Sequence, residues 1–131
     1  MTLVAVNGSP TMSKTHAVAA AAVRIAGEGT VIDVGTLDAE ALLMRAQHQS
    51  VSDALAAIAT ASTLVLVTPV YRATYSGFLK LVLDQLPTDA LASTAVVLAA
   101  TGASPAHFLS LDTGLRAAVA SLGGWSVPTV V

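Results

Sequence analysis

Three short segments hold the residues whose types and spacing can do chemistry. The first, NGSPTMSKTH, runs from Asn7 to His16. Gly8 permits a sharp turn; Ser9, Ser13 and Thr15 supply hydroxyls, and Lys14 adds a cation. A helix beginning at about Ser13 or Lys14 would aim its free backbone N–H groups and positive dipole end into this loop, which is chemistry that holds a phosphate. The spacing is neither G-x-x-x-x-G-K-[ST] nor G-x-G-x-x-G, and the same residues also make an ordinary capped helix start. The second segment, TPVYRATYSG, places Pro69 and Val70 ahead of Tyr71, Arg72, Tyr75 and Ser76. It reads as a flat, mostly apolar wall for a planar ring, with backbone N–H groups and hydroxyls at the ring's polar edge. Taken singly, each tyrosine is equally amphipathic cover at the start of a helix. The third, ATGASPAH, has small residues at Gly102 and Ala103 that let a ligand approach the backbone. Ser104 and Pro105 suit the first positions of a helix, and a lone His107 there ordinarily caps the helix or faces solvent.

The elements around these segments are legible. Thr2–Val6 is a short apolar run that ends in the turn signal NGSP. Lys14–Ala26 is rich in helix formers and stops at Gly27 and Gly29. Thr30–Val34 reads as a strand, and residues 38–61 as one or two helices with Ser50 or Ser52 as an internal cap. Ser62–Pro69 and Ser93–Thr101 are β-branched, uncharged runs that predict buried strands. Helices are expected over Ser76–Leu86 and over about Pro105–Leu122, and Ser126–Val131 begins a last strand. Strands alternating with helices predict an α/β domain spanning residues 1–131: a doubly wound, five-stranded parallel sheet in the order 2-1-3-4-5, helices on both faces. In such a sheet ligands bind beyond the carboxyl ends of the strands, where the order reverses. The three segments follow strands one, three and four, so they should meet there. The pattern ends on its fifth strand, so the final helix is missing. That points to a truncated chain or to a partner covering the exposed face.

Composition narrows the function. Hydrophobic residues make up 54% and charged residues 11% of the 131, which argues against disorder. A net charge of −2 with scattered Lys and Arg gives no basic patch for nucleic acid. Without cysteine there are no disulfides, thiolate metal sites or thiol catalysis. The N-terminus has no basic segment of a signal peptide, and no apolar stretch reaches the ~18–20 residues of a membrane span. A soluble cytoplasmic protein is expected. His16, His48 and His107 lack metal-ligand spacing. TYSGF lacks the glycine of a nucleophile elbow. Lys80 and Asp84 form an i,i+4 pair on a helix face. The stripe of Leu79, Val82, Leu83 and Leu86 fits either core or a dimer surface.

The residues of all three segments resemble the NAD(P)H-dependent FMN reductases of the flavodoxin-like superfamily. They are most similar to those that supply reduced FMN to two-component monooxygenases of the alkanesulfonate type. The likeness rests on GSP followed by SKT, on TPVYRATYSGFLKLVLDQLP and on ATGASPAHFLSLD, and it covers residues 1–131 without the family's C-terminal portion. It implies a flavodoxin-like fold and an oxidoreductase that passes a hydride from NADPH or NADH to FMN. The flavin would carry the chemistry, with no catalytic side chain and no metal. The FMN phosphate would fall to Ser9, Ser13, Lys14, Thr15 and His16, one edge of the ring to Pro69, Val70, Tyr71, Arg72 and Ser76, and its other side to Thr101, Gly102 and Ala103. Arg72 would attract the dinucleotide phosphates or stabilise negative charge on reduced flavin. The likeness also implies a homodimer or homotetramer built on the helices after strands three and four, which would give the Leu79–Leu86 stripe a partner, and a flavin-dependent monooxygenase downstream. The chain departs from close members by carrying Thr113, rather than an aromatic residue, after Asp112. A related quinone or azo reductase and a non-enzymatic FMN-binding module are the alternatives.

Overall fold

Successive residues of a strand point to opposite faces, so a strand that is apolar throughout must be covered on both sides. The computed structural model describes residues 1–107 and 109–131 and shows this arrangement. In chain order the strands are β1 (Leu3–Asn7), β2 (Thr30–Asp33), β3 (Thr63–Tyr71), β4 (Thr74–Tyr75), β5 (Ala95–Thr101) and β6 (Trp125–Ser126). The helices are α1 (Lys14–Ala26), α2 (Ala39–Leu42), α3 (Gln49–Thr60), α4 (Gly77–Leu83), α5 (Ser110–Thr113) and α6 (Leu115–Ser121). The parallel sheet runs β2-β1-β3-β5-β6, while β4 folds back antiparallel on β3. With β4 set aside, this is the expected 2-1-3-4-5 order.

Alternation along the inner strands sorts the core into two layers. Val4, Val6, Leu64, Leu66, Val96 and Leu98 face one side, where α3, α4 and α6 supply Ile58, Leu79, Val82, Leu115 and Val119. Leu3, Ala5, Val65, Val67 and Ala99 face the other and are covered by Ala19, Ala22 and Val23 of α1. Each leucine buried in this way stabilises the fold by about 2 kcal/mol.

Several expectations change. Residues 38–61 form two helices, and the cap of α3 is His48, whose ring accepts from the Ser50 N–H, rather than Ser50 or Ser52. The Leu79–Leu86 stripe is not a dimer surface: Leu79, Val82, Leu83 and Leu86 are at most 7% exposed and form core within the chain. The helix expected over Pro105–Leu122 is broken into a 3₁₀ turn (Pro105–His107), α5 and α6, and Phe108 lies outside the described residues. The break at Gly114 has a packing reason. A Cβ there would sit 2.7 Å from Thr74 Oγ1 and 3.2 Å from the Tyr75 ring, so only glycine lets this helix corner close on β4. The last strand runs over Trp125–Ser126 rather than Ser126–Val131. Its pairing with β5 nevertheless resumes through Val127 N to Val96 O, Val131 N to Leu98 O and Ala100 N to Val131 O. Arg116 of α6 fastens this segment by donating to Ser126 Oγ, Val127 O and Pro128 O.

Candidate functional site

The order β1-β3-β5 sets the three segments side by side at the carboxyl ends of their strands. Hydrogen bonds then tie them together. Ser76 Oγ donates to Gly8 O at 2.6 Å and accepts from Leu79 N at 3.1 Å, so it caps α4 and locks the first segment to the second. Thr68 Oγ1 accepts from Ser76 N and donates to Pro69 O, which fixes the start of that cap. Thr15 and Thr101 join the first segment to the third, hydroxyl to hydroxyl, at 2.9 Å.

The first segment is a shaped loop over the start of α1. Ser13 is the N-cap, and its Oγ accepts from Thr15 N. Its hydroxyl donates to Ser9 Oγ, which is buried and also accepts from Thr11 N. The N–H of Ala17 reaches Ser13 O. The N–H groups of Lys14 and His16 meet no acceptor among the described residues, as expected for a first helical turn. Lys14 and Ser13 are exposed, whereas Thr15 is buried.

His16 sits differently from its neighbours. Its Nδ1 lies 2.7 Å from Asp33 Oδ1. The same carboxylate oxygen accepts from Asn7 Nδ2 at 2.8 Å, and Asn7 Oδ1 accepts from Ser9 N. Asn7 and Asp33 are register partners at the ends of β1 and β2. Sequence reasoning missed both, although two polar residues ending adjacent apolar strands were the available signal. The Asp33 corner closes because residue 35 is glycine: a Cβ there would lie 2.2 Å from Pro10 O.

The second segment is a hairpin rather than an open loop. β3 runs on to Tyr71, and Val70 pairs with Tyr75 and Tyr71 with Thr74. The connection is Arg72-Ala73, both at positive φ (50° and 64°), as a two-residue primed turn requires. Asn-Gly would have announced such a turn, but Arg-Ala does not. Pro69 is buried, Val70 half-buried, and Tyr71 and Arg72 are exposed at the hairpin tip. Tyr75 packs against the core and is cover.

The third segment leaves Gly102 and Ala103 exposed beside half-buried Thr101, the register partner of Pro69. A cleft of about 260 Å³ opens between Val70, Gly102, His107, Leu111 and Val131. Within it, His107 Nδ1 is buried without a hydrogen-bond partner among the described residues. Lys80 lies apart, paired with Asp84 at 2.6 Å. No cluster of three or more metal-ligating side chains occurs among the described residues, and no helix there is long and apolar enough to cross a membrane.

The site's architecture has a match along the whole chain: the model of the NADPH-dependent FMN reductase family covers residues 1–131. The chain belongs to that family. It is 46% identical over 65 residues to an FMN reductase (NADPH) of Pseudomonas putida, covering 50% of this chain and 33% of that protein. It is 40% identical over 80 residues to the NADH-dependent FMN reductase SfnE of Pseudomonas putida, covering 61% and 43%. The aligned part thus spans less than half the length of either relative. Among solved structures, the apo form of the NADH:FMN oxidoreductase EMOB superposes with a TM-score of 0.93 at 40% identity, covering 98% of this chain and 73% of that one.

Proposed function

We propose that this chain is an NAD(P)H-dependent FMN reductase whose flavin lies across the three joined segments. The observation that carries the reading is their linkage through Ser76–Gly8 and Thr15–Thr101, which preorganises a cradle on one side and an apolar wall on the other. Bound FMN would supply the chemistry, accepting a hydride from NADPH or NADH.

The donors present fit the group. The phosphate would meet the free N–H groups of Lys14 and His16, the Ser13 hydroxyl and the Lys14 ammonium. Ser9 and Thr15 are buried beneath this rim and hold its shape. The ring would lie against Pro69, Val70, Tyr71 and Arg72, with Thr101, Gly102 and Ala103 opposite. Ser76 acts from behind, through its cap. Gly102 keeps the backbone open, and the unpartnered His107 Nδ1 offers a hydrogen-bonding group to a polar edge of the ring. Arg72, exposed at the hairpin tip, is placed to attract the dinucleotide phosphates. No side chain needs to shuttle a proton; the chain's work is positioning and electrostatics. A monooxygenase that consumes reduced FMN, assembly as a homodimer or homotetramer and a cytoplasmic setting belong to the same reading.

Titrating labelled protein with FMN tests it. Amide signals of residues 9, 11–16, 70–72 and 101–103 should shift together, while those of Glu28 and Ala57, at the opposite end of the sheet, stay fixed. Shifts confined to any other surface would overturn the assignment.

A further inference from the structure

The Asn7–Asp33–His16 network does more than close a loop. Asp33 carboxylate only accepts, so His16 Nδ1 is the nitrogen that donates at 2.7 Å. Asp33 Oδ1 is itself fixed by Asn7, which is buried, ends β1 and holds Ser9 N. Asn7 Nδ2 also lies 3.5 Å from Thr11 O, so the network runs from the crest of the loop to the imidazole. A histidine whose one nitrogen is oriented by a carboxylate presents the other in a set direction. Nε2 has no partner among the described residues and is not among the buried unpaired atoms, so it is open to solvent. His16 is the third residue of α1, next to the N–H groups at its start.

We propose that Asp33 is a positioning residue: it holds His16 so that Nε2 meets the phosphate monoester of the flavin, and this pair makes the site select FMN over riboflavin. The inference rests on the flavin reading above. When Nε2 carries a proton it donates to the phosphate, and the imidazole then bridges two anionic groups, Asp33 and the ligand. Among the described residues the Asp33 carboxylate hydrogen-bonds only His16 and Asn7, and it acts through them. Lys14 adds charge on a flexible stem and the helix N–H groups donate along the axis of α1, so the oriented imidazole adds a further directed donor from the side chain.

Flavin fluorescence quenching with FMN and with riboflavin tests this on wild type, His16→Ala, Asp33→Asn and the double variant. His16 is half-buried on the helix surface, so its alanine variant keeps the fold even if the Asp33 variant does not. His16→Ala should weaken FMN about tenfold, as for loss of one charge-assisted hydrogen bond. Asp33→Asn should weaken FMN by a smaller factor, the double variant should be no worse than His16→Ala, and riboflavin affinity should not move. FMN and riboflavin affinities falling in parallel, FMN affinity unchanged in His16→Ala, or Asp33→Asn acting equally without His16 would each overturn the inference while leaving the flavin reading intact. Wild type that binds neither flavin would overturn both.

Discussion

The hydroxyls of Thr15 and Thr101 meet at 2.9 Å across 86 residues of sequence. Thr15 is 1% exposed, while Thr101 is half-buried and reachable by water. The two ends of the contact should therefore respond unequally. Thr101→Val strands a buried hydroxyl and should cost about 1–2 kcal/mol in urea unfolding, whereas Thr15→Val should cost about 1 kcal/mol or less. The double valine variant should lose less than the sum, because no unpaired hydroxyl remains buried. Strict additivity would mean that the two hydroxyls do not interact.

The hairpin tip holds two non-glycine residues in the left-handed region, Arg72 and Ala73. Such a conformation costs an L-residue about 1–2 kcal/mol, and strain of this kind gathers at functional sites. Ala73→Gly should raise the melting temperature, by an amount equivalent to about 0.5–1 kcal/mol once the looser unfolded chain is counted. A lower melting temperature would show that the turn is not strained.

Gly35 is required by its neighbour. Its missing Cβ would lie 2.2 Å from Pro10 O, a backbone atom that moves only with the first segment. Gly35→Ala should destabilise the fold by about 1–3 kcal/mol and weaken FMN binding more than riboflavin binding, since the displaced loop is the phosphate side. Thermal unfolding and flavin titration on the same sample check both; full stability in the alanine variant would show that Pro10 does not press on residue 35.

The Lys80–Asp84 pair is the null control. Its hydrogen bond to Asp84 raises the Lys80 pKa above the ordinary 10.5, with slight desolvation pulling the other way. A raised ammonium stabilises the fold at neutral pH, and the gain disappears as pH climbs through the folded value. The pair is exposed, so Lys80→Met should cost about 0.5 kcal/mol or less at pH 7, and the difference from wild type should close in strong alkali or high salt. Flavin turnover should be unaffected.

What was legible was local. The continuous apolar runs around Val4, Leu64 and Leu98 announced β1, β3 and β5, and loops after parallel strands have little choice of where to meet. Ser13 as N-cap and Gly27 as the left-handed stop of α1 were readable because capping chemistry is local. The Arg72-Ala73 turn was not readable: its residues disfavour the conformation, and strand pairing imposes it. The break at Gly114 depends on Thr74 and Tyr75, forty residues earlier in the chain, and the Asn7–Asp33–His16 network depends on strand register. Composition along the chain carries no trace of such contacts. The Leu79–Leu86 stripe shows the same limit, since apolar spacing alone does not distinguish core from interface.

Under the proposed function this chain turns over FMN with a reduced nicotinamide at the joined β1, β3 and β5 ends. Steady-state oxidation of NADPH and of NADH by the purified chain under excess FMN tests it most directly. The expected result is continuous, FMN-dependent turnover that saturates in flavin and whose apparent KM for the nicotinamide rises in Arg72→Ala. Nicotinamide oxidation no faster than in the protein-free flavin control would contradict it.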